Sequence, residues 1–421
     1  MKLLIQLPNS ASTSKYPKSF PQPLNLSCLY SDGDILFDMA LECYKQKKDE
    51  IFGIIDSYIN KINNISGATE IIVNAGDYAP DAAYSEYFEY FLDNNKNNIK
   101  LIGSYAEIYK DKIEDKYKNV KCEKHDYRFP NYFAINHGIY PLVGGKIKAS
   151  IRATYGCPRE CAMCPVPIIH NKKYEFYDIG SIVLNISKLY NLGVRYITFI
   201  DDNLAVSPKF KRLLEEIKKL NLKGVKFHCQ EGFEVSSIDK ELCLLLKETK
   251  FDDIKIAFEN IKPEFLKLIK KSYITPEVIY NSAEILRETK LDAKSFFLMG
   301  LDETEEDIFD NLKFFAEYGL KLRVNIIRDY NNDFSKQSEK KISEARFKQL
   351  KAFAYSVGFF NEMGINIFKG KEDLKKKGYI LTDETIEGKT KFGFQTCRFE
   401  TGVEFIYNKK IKENNGKSIR F

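Results

Sequence analysis

No stretch of the 421-residue sequence approaches the ~20 consecutive apolar residues that a membrane-spanning helix needs. The opening run Met1-Lys-Leu-Leu-Ile-Gln-Leu is too short for the core of a secretory leader, and Pro8 closes it. A cytoplasmic chain with no membrane partner is therefore expected. Low-complexity tracts are missing, and no repeat occurs outside the middle of the chain. A strong charge excess is missing too. The 65 basic and 59 acidic side chains leave +6, short of a nucleic-acid-binding signature and compatible with weak attraction to an anionic substrate. What is present is a globular composition, 44% hydrophobic and 29% charged, which excludes a disordered or fibrous chain. The length exceeds one ordinary core, so two or three domains are expected.

Three regions follow along the chain. In residues 1–145, apolar runs at 2–7, 70–74, 100–103 and 120–124 read as buried strands. Helical patterns at about 35–60 and 81–94 lie between them. Such alternation argues for a Rossmann-like open parallel sheet, whose ligands bind at the carboxyl ends of the strands. Those ends fall near 8–12, 75–78 and 103–106. Residues 141–145 (PLVGG) read as a linker.

Residues 146–330 repeat one strand–helix unit. Strands are expected at 147–154, 196–200, 225–229, 254–258, 295–299 and 322–327, with helices at about 179–192, 208–220, 239–249, 276–289 and 303–318. Six repeats suggest a partial (β/α)6 barrel with its chemistry at the carboxyl ends of the strands. Residues 331–421 read as a small α+β segment, with a helix at about 343–363 and apolar alternation through 392–406.

Nine cysteines are an odd number, and three lie within eight residues: Cys157-Pro-Arg-Glu-Cys161-Ala-Met-Cys164. In a reducing compartment this cluster points to metal rather than to disulfides. A cubane cluster has four irons, and three thiolates leave one of them open to a small molecule. An electron carrier or a structural zinc site would want a closed fourth ligand, and His170 is near enough in sequence to supply one to zinc. A non-catalytic iron–sulfur or zinc module is thus the alternative of another class.

The C-x3-C-x2-C spacing directly after a first barrel strand resembles the radical S-adenosylmethionine superfamily. The resemblance implies a [4Fe–4S] cluster on Cys157, Cys161 and Cys164. It also implies S-adenosylmethionine bound at the open iron, reductive cleavage to a 5′-deoxyadenosyl radical, and an electron donor such as flavodoxin or ferredoxin. Met163 stands where the family carries an apolar residue against the adenine. Tyr196-Ile-Thr-Phe-Ile-Asp201-Asp202-Asn203 resembles the second-strand motif, with Asp201 and Asp202 beside the cofactor. Helix capping is the other account of these carboxylates, although Asn203 or Ser207 could cap instead. Ile254-Lys-Ile-Ala-Phe-Glu259 resembles the fourth-strand motif, and Phe296-Phe-Leu-Met-Gly300 the fifth. These place Glu259 near the ribose or methionyl part and Gly300 near the adenine. The family pattern has two residues where Asp302 stands alone. Glu303 and Glu305 suit the start of the following helix.

An α/β domain ahead of such a barrel is similar to the cobalamin-binding subgroup, which methylates unactivated carbon. That places cobalamin near 75–78 and 103–106. The chain has no Asp-x-His-x-x-Gly, and His125 and His137 lie outside such a pattern. A domain that only buttresses the barrel or holds substrate is the alternative. Rearrangement, oxidation and methylthiotransfer are the other outcomes of the radical step. Methylthiotransferases carry three further front cysteines, a pattern that Cys28, Cys43 and Cys122 do not match; these, like Cys229 and Cys243, read as core. Cys397 reads as core, an auxiliary ligand or a substrate-side thiol. The substrate is a small molecule, a peptide or a nucleotide.

Overall fold

The computed structural model describes residues 1–8, 20, 22–75, 85–124, 129–170, 172–229, 231–301, 303–327, 342–362, 364 and 366–369, with four short strands beyond them. The chain divides into two compact units. The first comprises residues 1–159, 165–231 and 249–251, and the second residues 160–164, 232–248 and 252–421.

The first unit opens with a five-stranded sheet. Its strands are β1 (Lys2–Gln6), β2 (Ile35–Asp38), β3 (Glu70–Asn74), β4 (Ile99–Ile102) and β5 (Val120–Cys122), in the order β2-β1-β3-β4-β5. All neighbours are parallel. Parallel strands are covered on both faces, which is why these segments read as unbroken apolar runs. Leu3, Ile5, Val73 and Leu101 join one cluster with Ile51 and Ile55 of helix Lys48–Asn64 and Phe88 and Phe91 of helix Ser85–Asn94. Leu4, Ile72 and Ile102 join a smaller cluster with Leu26.

The helix expected at 35–60 begins later than its pattern suggested. Ile35–Asp38 is a strand paired with β1, and a short helix, Met39–Glu42, follows, capped by the Asp38 carboxylate on the Leu41 amide at 3.1 Å. A four-residue apolar run carries no period that separates strand from helix. At the carboxyl ends of β1 and β3, the Asn74 amide donates to Gln6 Oε1 at 2.7 Å. Most of the expected ligand loops, residues 9–12 and 76–78, lie outside the described residues, as does His125.

The same unit holds a second parallel sheet of β6 (Ile147–Ile151), β9 (Val194–Phe199) and β10 (Lys226–Cys229), with β9 central. Between β6 and β9, β7 (Thr154–Gly156) and β8 (Tyr174–Phe176) pair antiparallel. One face of the sheet carries Ala149, Ile151, Ile197, Phe199 and Phe227, all buried. Helix Ile179–Asn191 packs on β9 and buries Ile182, Ile186 and Leu189, a helical stripe. The other face of β6 is polar yet buried. Lys148 Nζ donates to the Phe20 carbonyl at 2.7 Å, the Ser150 amide to Gln22 Oε1 at 2.7 Å, and the Arg152 guanidinium to Asn25 Oδ1 at 3.3 Å. Burial pushes the Lys148 ammonium down to about 7.

The second unit is built on β11 (Phe233–Glu234), β12 (Ile254–Glu259), β13 (Ala293–Met299) and β14 (Lys321–Ile326), parallel and in that order. Helices Lys240–Glu248, Pro276–Thr289 and Glu305–Glu317 alternate with them. Thr275 caps the helix that opens on Pro276, and Thr304 and Asp307 form a reciprocal capping box. Helix Glu344–Glu362 lies against β14, where Gly358 allows close approach: a Cβ there would stand 2.9 Å from the Leu322 side chain. The six strands expected after residue 146 all form, the first ending at Ile151, and β7, β8 and β11 are additions. Of the C-terminal alternation, Thr396–Arg398 and Glu404–Ile406 pair antiparallel. The side chain of Cys397 lies outside the described residues, as does Asp302.

Candidate active site

In the first unit the cysteine loop leaves β6 through a series of fixed contacts. Asp201, just beyond β9, is 1% exposed. Its Oδ1 accepts from the Ala153 amide at 2.8 Å, from the Thr154 hydroxyl at 2.8 Å and from the Thr154 amide. Burial pushes its carboxyl up to about 6, against those hydrogen bonds and the Arg152 charge. Asp202 Oδ2 stands 3.1 Å from Nε2 of the buried His170, and the Tyr155 ring packs edge-on against that imidazole at 4.6 Å. The Asn203 amide donates to Cys157 Sγ at 3.5 Å. Gly156, immediately before Cys157, has φ +69°, and a Cβ there would stand 2.2 Å from the Lys173 carbonyl oxygen. Only glycine fits, because both the backbone conformation and the space exclude a side chain.

In the second unit Cys161 and Cys164 share a turn. The Cys164 amide donates to the Cys161 carbonyl and the Ala162 amide to the Ile269 carbonyl, both at 3.1 Å. Burial raises the Cys161 thiol, and Lys271 pulls it down against Glu259 and Glu234. Lys271 Nζ donates to Glu259 Oε1 at 2.7 Å, and both residues are buried. Burial opposes the Lys271 charge, but Glu259 and Cys161 outweigh it and raise the ammonium. Glu259 ends β12 in the left-handed region, φ +63°, where the register with β13 shifts. Tyr273 and Ser236 both donate to the buried Glu234 carboxylate, the tyrosine at 3.3 Å.

Gly300 follows β13 with φ +110°. The Gly300 and Leu301 amides donate to Glu303 Oε2 at 3.1 and 2.8 Å. Glu303 therefore turns back on the strand end, while Thr304 caps the helix. Its carboxyl is 6% exposed and is pushed up to about 7 by burial. Met163 is half-buried between the second and third loop cysteines.

The loop cysteines differ from four of the others. Cys157, Cys161 and Cys164 are partly exposed thiols, whereas Cys43, Cys122, Cys229 and Cys243 are buried. Cys43 and Cys122 belong to the front-sheet core, where burial pushes their thiols up to about 12 and about 11. Cys28, expected in the core, is partly exposed and donates to the Leu24 carbonyl at 3.2 Å. Among the described residues no three of His, Cys, Asp and Glu stand close enough to hold one metal ion. The ligand set of the loop thus rests on its spacing and exposure. Sequence reasoning missed Lys271, Glu234 and Tyr273, which no motif marks.

Residues 151–315 match the radical SAM superfamily. Such a domain implies a [4Fe–4S] cluster and S-adenosylmethionine, and each of Cys157, Cys161 and Cys164 offers a partly exposed thiol of the kind such a cluster takes. Bacteriochlorophyllide d C-12(1)-methyltransferase of Chlorobaculum tepidum is 28% identical over 165 residues, 38% of this chain and 35% of that protein. A ribosomal protein uS12 methylthiotransferase, RimO, of Sulfurihydrogenibium is 23% identical over 278 residues, 60% of this chain and 63% of that protein. The chain thus matches about a third of the first of these relatives. Among solved structures, the fold is similar to the radical S-adenosylmethionine methyltransferase TsrM of Kitasatospora setae with cobalamin and a [4Fe–4S] cluster bound. The TM-score is 0.58 at 14% identity, over 77% of this chain and 72% of that one. The cobalamin-dependent enzyme OxsB is similar at TM-score 0.56 and 13% identity, over 87% of this chain and 57% of that one. No helix among the described residues is long and apolar enough to cross a membrane.

Proposed function

We propose that the chain is a cobalamin-dependent radical S-adenosylmethionine methyltransferase acting on carbon. The observation that carries this reading is the set of three partly exposed thiols, Cys157, Cys161 and Cys164, within the matched radical SAM domain. When bound, the cluster and S-adenosylmethionine supply the one-electron cleavage that yields a 5′-deoxyadenosyl radical. The chain's own residues supply the frame. Asp201 fixes the base of the cysteine loop, and Gly156 gives the turn that presents Cys157. The Lys271 charge draws the Cys161 thiol toward the thiolate needed for ligation, against the burial that raises it overall. Glu259 and Gly300, at the carboxyl ends of β12 and β13, and Met163 in the loop are the residues we assign to S-adenosylmethionine. The five-stranded front sheet is the cobalamin domain in this reading, by likeness to structures that hold cobalamin. A flavodoxin or ferredoxin would donate the electron.

Methylthiotransfer is disfavoured by a specific observation. The front cysteines Cys43 and Cys122 are spent on an apolar core, with burial holding both as thiols. The test is anaerobic reconstitution with iron and sulfide in the presence of hydroxocobalamin, then reduction and addition of S-adenosylmethionine. Bound cobalt and release of 5′-deoxyadenosine or S-adenosylhomocysteine are expected. A fully loaded, reducible cluster that releases neither, with bound cobalt absent, would refute the proposal.

A further inference from the structure

Three consecutive residues at the exit of β9 each grip a different part of the cysteine loop. Asp201 binds its base at Ala153 and Thr154, Asp202 meets His170 at the end of the short helix Val166–His170, and Asn203 binds Cys157 itself. Asn203 would ordinarily cap the turn that follows it, Leu204–Val206, but its side chain makes no capping bond there. The helix Lys209–Lys219 is served by Ser207, whose hydroxyl accepts from the Lys209 amide at 3.3 Å. The Asn203 side chain, 7% exposed, donates to sulfur at 3.5 Å instead.

We infer that Asn203 is a positioning residue that tunes the cluster through an N–H···S bond to Cys157, an inference that rests on the cluster assignment above. A donor to a ligating sulfur withdraws negative charge from the cluster and so favours its more electron-rich, reduced state. Removing the donor should make reduction harder without removing a ligand.

The test is a redox titration of the reconstituted protein, without S-adenosylmethionine, in the parent, Asn203→Ala and Asn203→Asp. At the parent's midpoint, the reduced-to-oxidised ratio should fall about tenfold in Asn203→Ala, which is about 59 mV for a one-electron couple. It should fall at least as far in Asn203→Asp, which sets an acceptor against the sulfur, with iron content unchanged in both. Full iron with a ratio unchanged within twofold overturns the inference. So does loss of iron from both variants, which would mean that Asn203 only holds the loop in place. A parent that takes up no cluster overturns the functional reading as well, whereas a loaded parent with unshifted variants overturns the role of Asn203 alone.

Discussion

Replacing Glu303 by glutamine should remove a pH-dependent weakness from the end of β13. The Glu303 carboxyl is 6% exposed, and one of its oxygens accepts from two backbone amides. The other oxygen, Oε1, is buried and has no hydrogen-bond partner among the described residues. Burial raises the group from 4.5 to about 7, and the two amides pull it only part of the way back. Between those values the folded chain binds more protons than the unfolded one. Stability should therefore fall as pH rises through that window and level off above it. At about 1.4 kcal/mol per tenfold change in proton affinity, the loss is at most about 3 kcal/mol. Glutamine keeps the accepting oxygen and stays neutral throughout. Glu303→Gln should match the parent near pH 4.5 and exceed it by about 1–3 kcal/mol at pH 8. Paired thermal and urea melts across that range check this. Parallel curves for the two proteins, or a variant weaker at pH 8, would show that the carboxylate is held as an anion and that the reasoning is wrong.

Gly156→Ala should cost about 1–2 kcal/mol for its left-handed backbone alone, and more for the overlap with the Lys173 carbonyl. The expected result is a folded chain by circular dichroism that takes up little iron; full iron with an unchanged melt contradicts it. Lys271→Met strands the buried Glu259 carboxylate and should destabilise by about 3–5 kcal/mol. Adding Glu259→Gln should restore most of that, and a double variant as weak as the single would show that the pair is not coupled. Cys161→Ala should abolish the [4Fe–4S] absorbance and leave the melt of the front sheet in place. Retained absorbance would mean that another residue supplies the ligand.

The strands were legible because parallel strands buried on both faces write themselves as apolar runs, as in Glu70–Asn74 and Ile254–Glu259. Where the periodicity was short, legibility failed. Ile35–Asp38 reads equally as the first turn of a helix, and the two-residue β11 leaves no pattern at all. The first strand after residue 146 was read through to 154 but ends at Ile151, because the Ala153 and Thr154 amides bond to the Asp201 carboxylate. The cysteine spacing was legible from chemistry alone. Lys271 was not, since it meets Glu259 from 12 residues away through the fold. Glu303 was read as a helix-start residue, yet Thr304 takes that place and frees the carboxylate to turn back on Gly300.

The tripeptide after β9 changes what its two carboxylates can be said to do. A carboxylate at a strand end beside a cofactor invites the reading of a direct contact, and loss of activity on mutation would be taken as support. Asp201 already holds two amides and a hydroxyl of the cysteine loop on one oxygen, so its removal would disturb the ligands even if it never touches a cofactor. Leaving those donors buried without an acceptor costs about 1–3 kcal/mol each, enough to shift the base of the loop. Asp202 is the better candidate for contact, being partly exposed and, among the described residues, committed to the His170 imidazole. In the proposed reading, the arm of the loop that carries Cys157 is a supported one, held by the three residues just beyond β9.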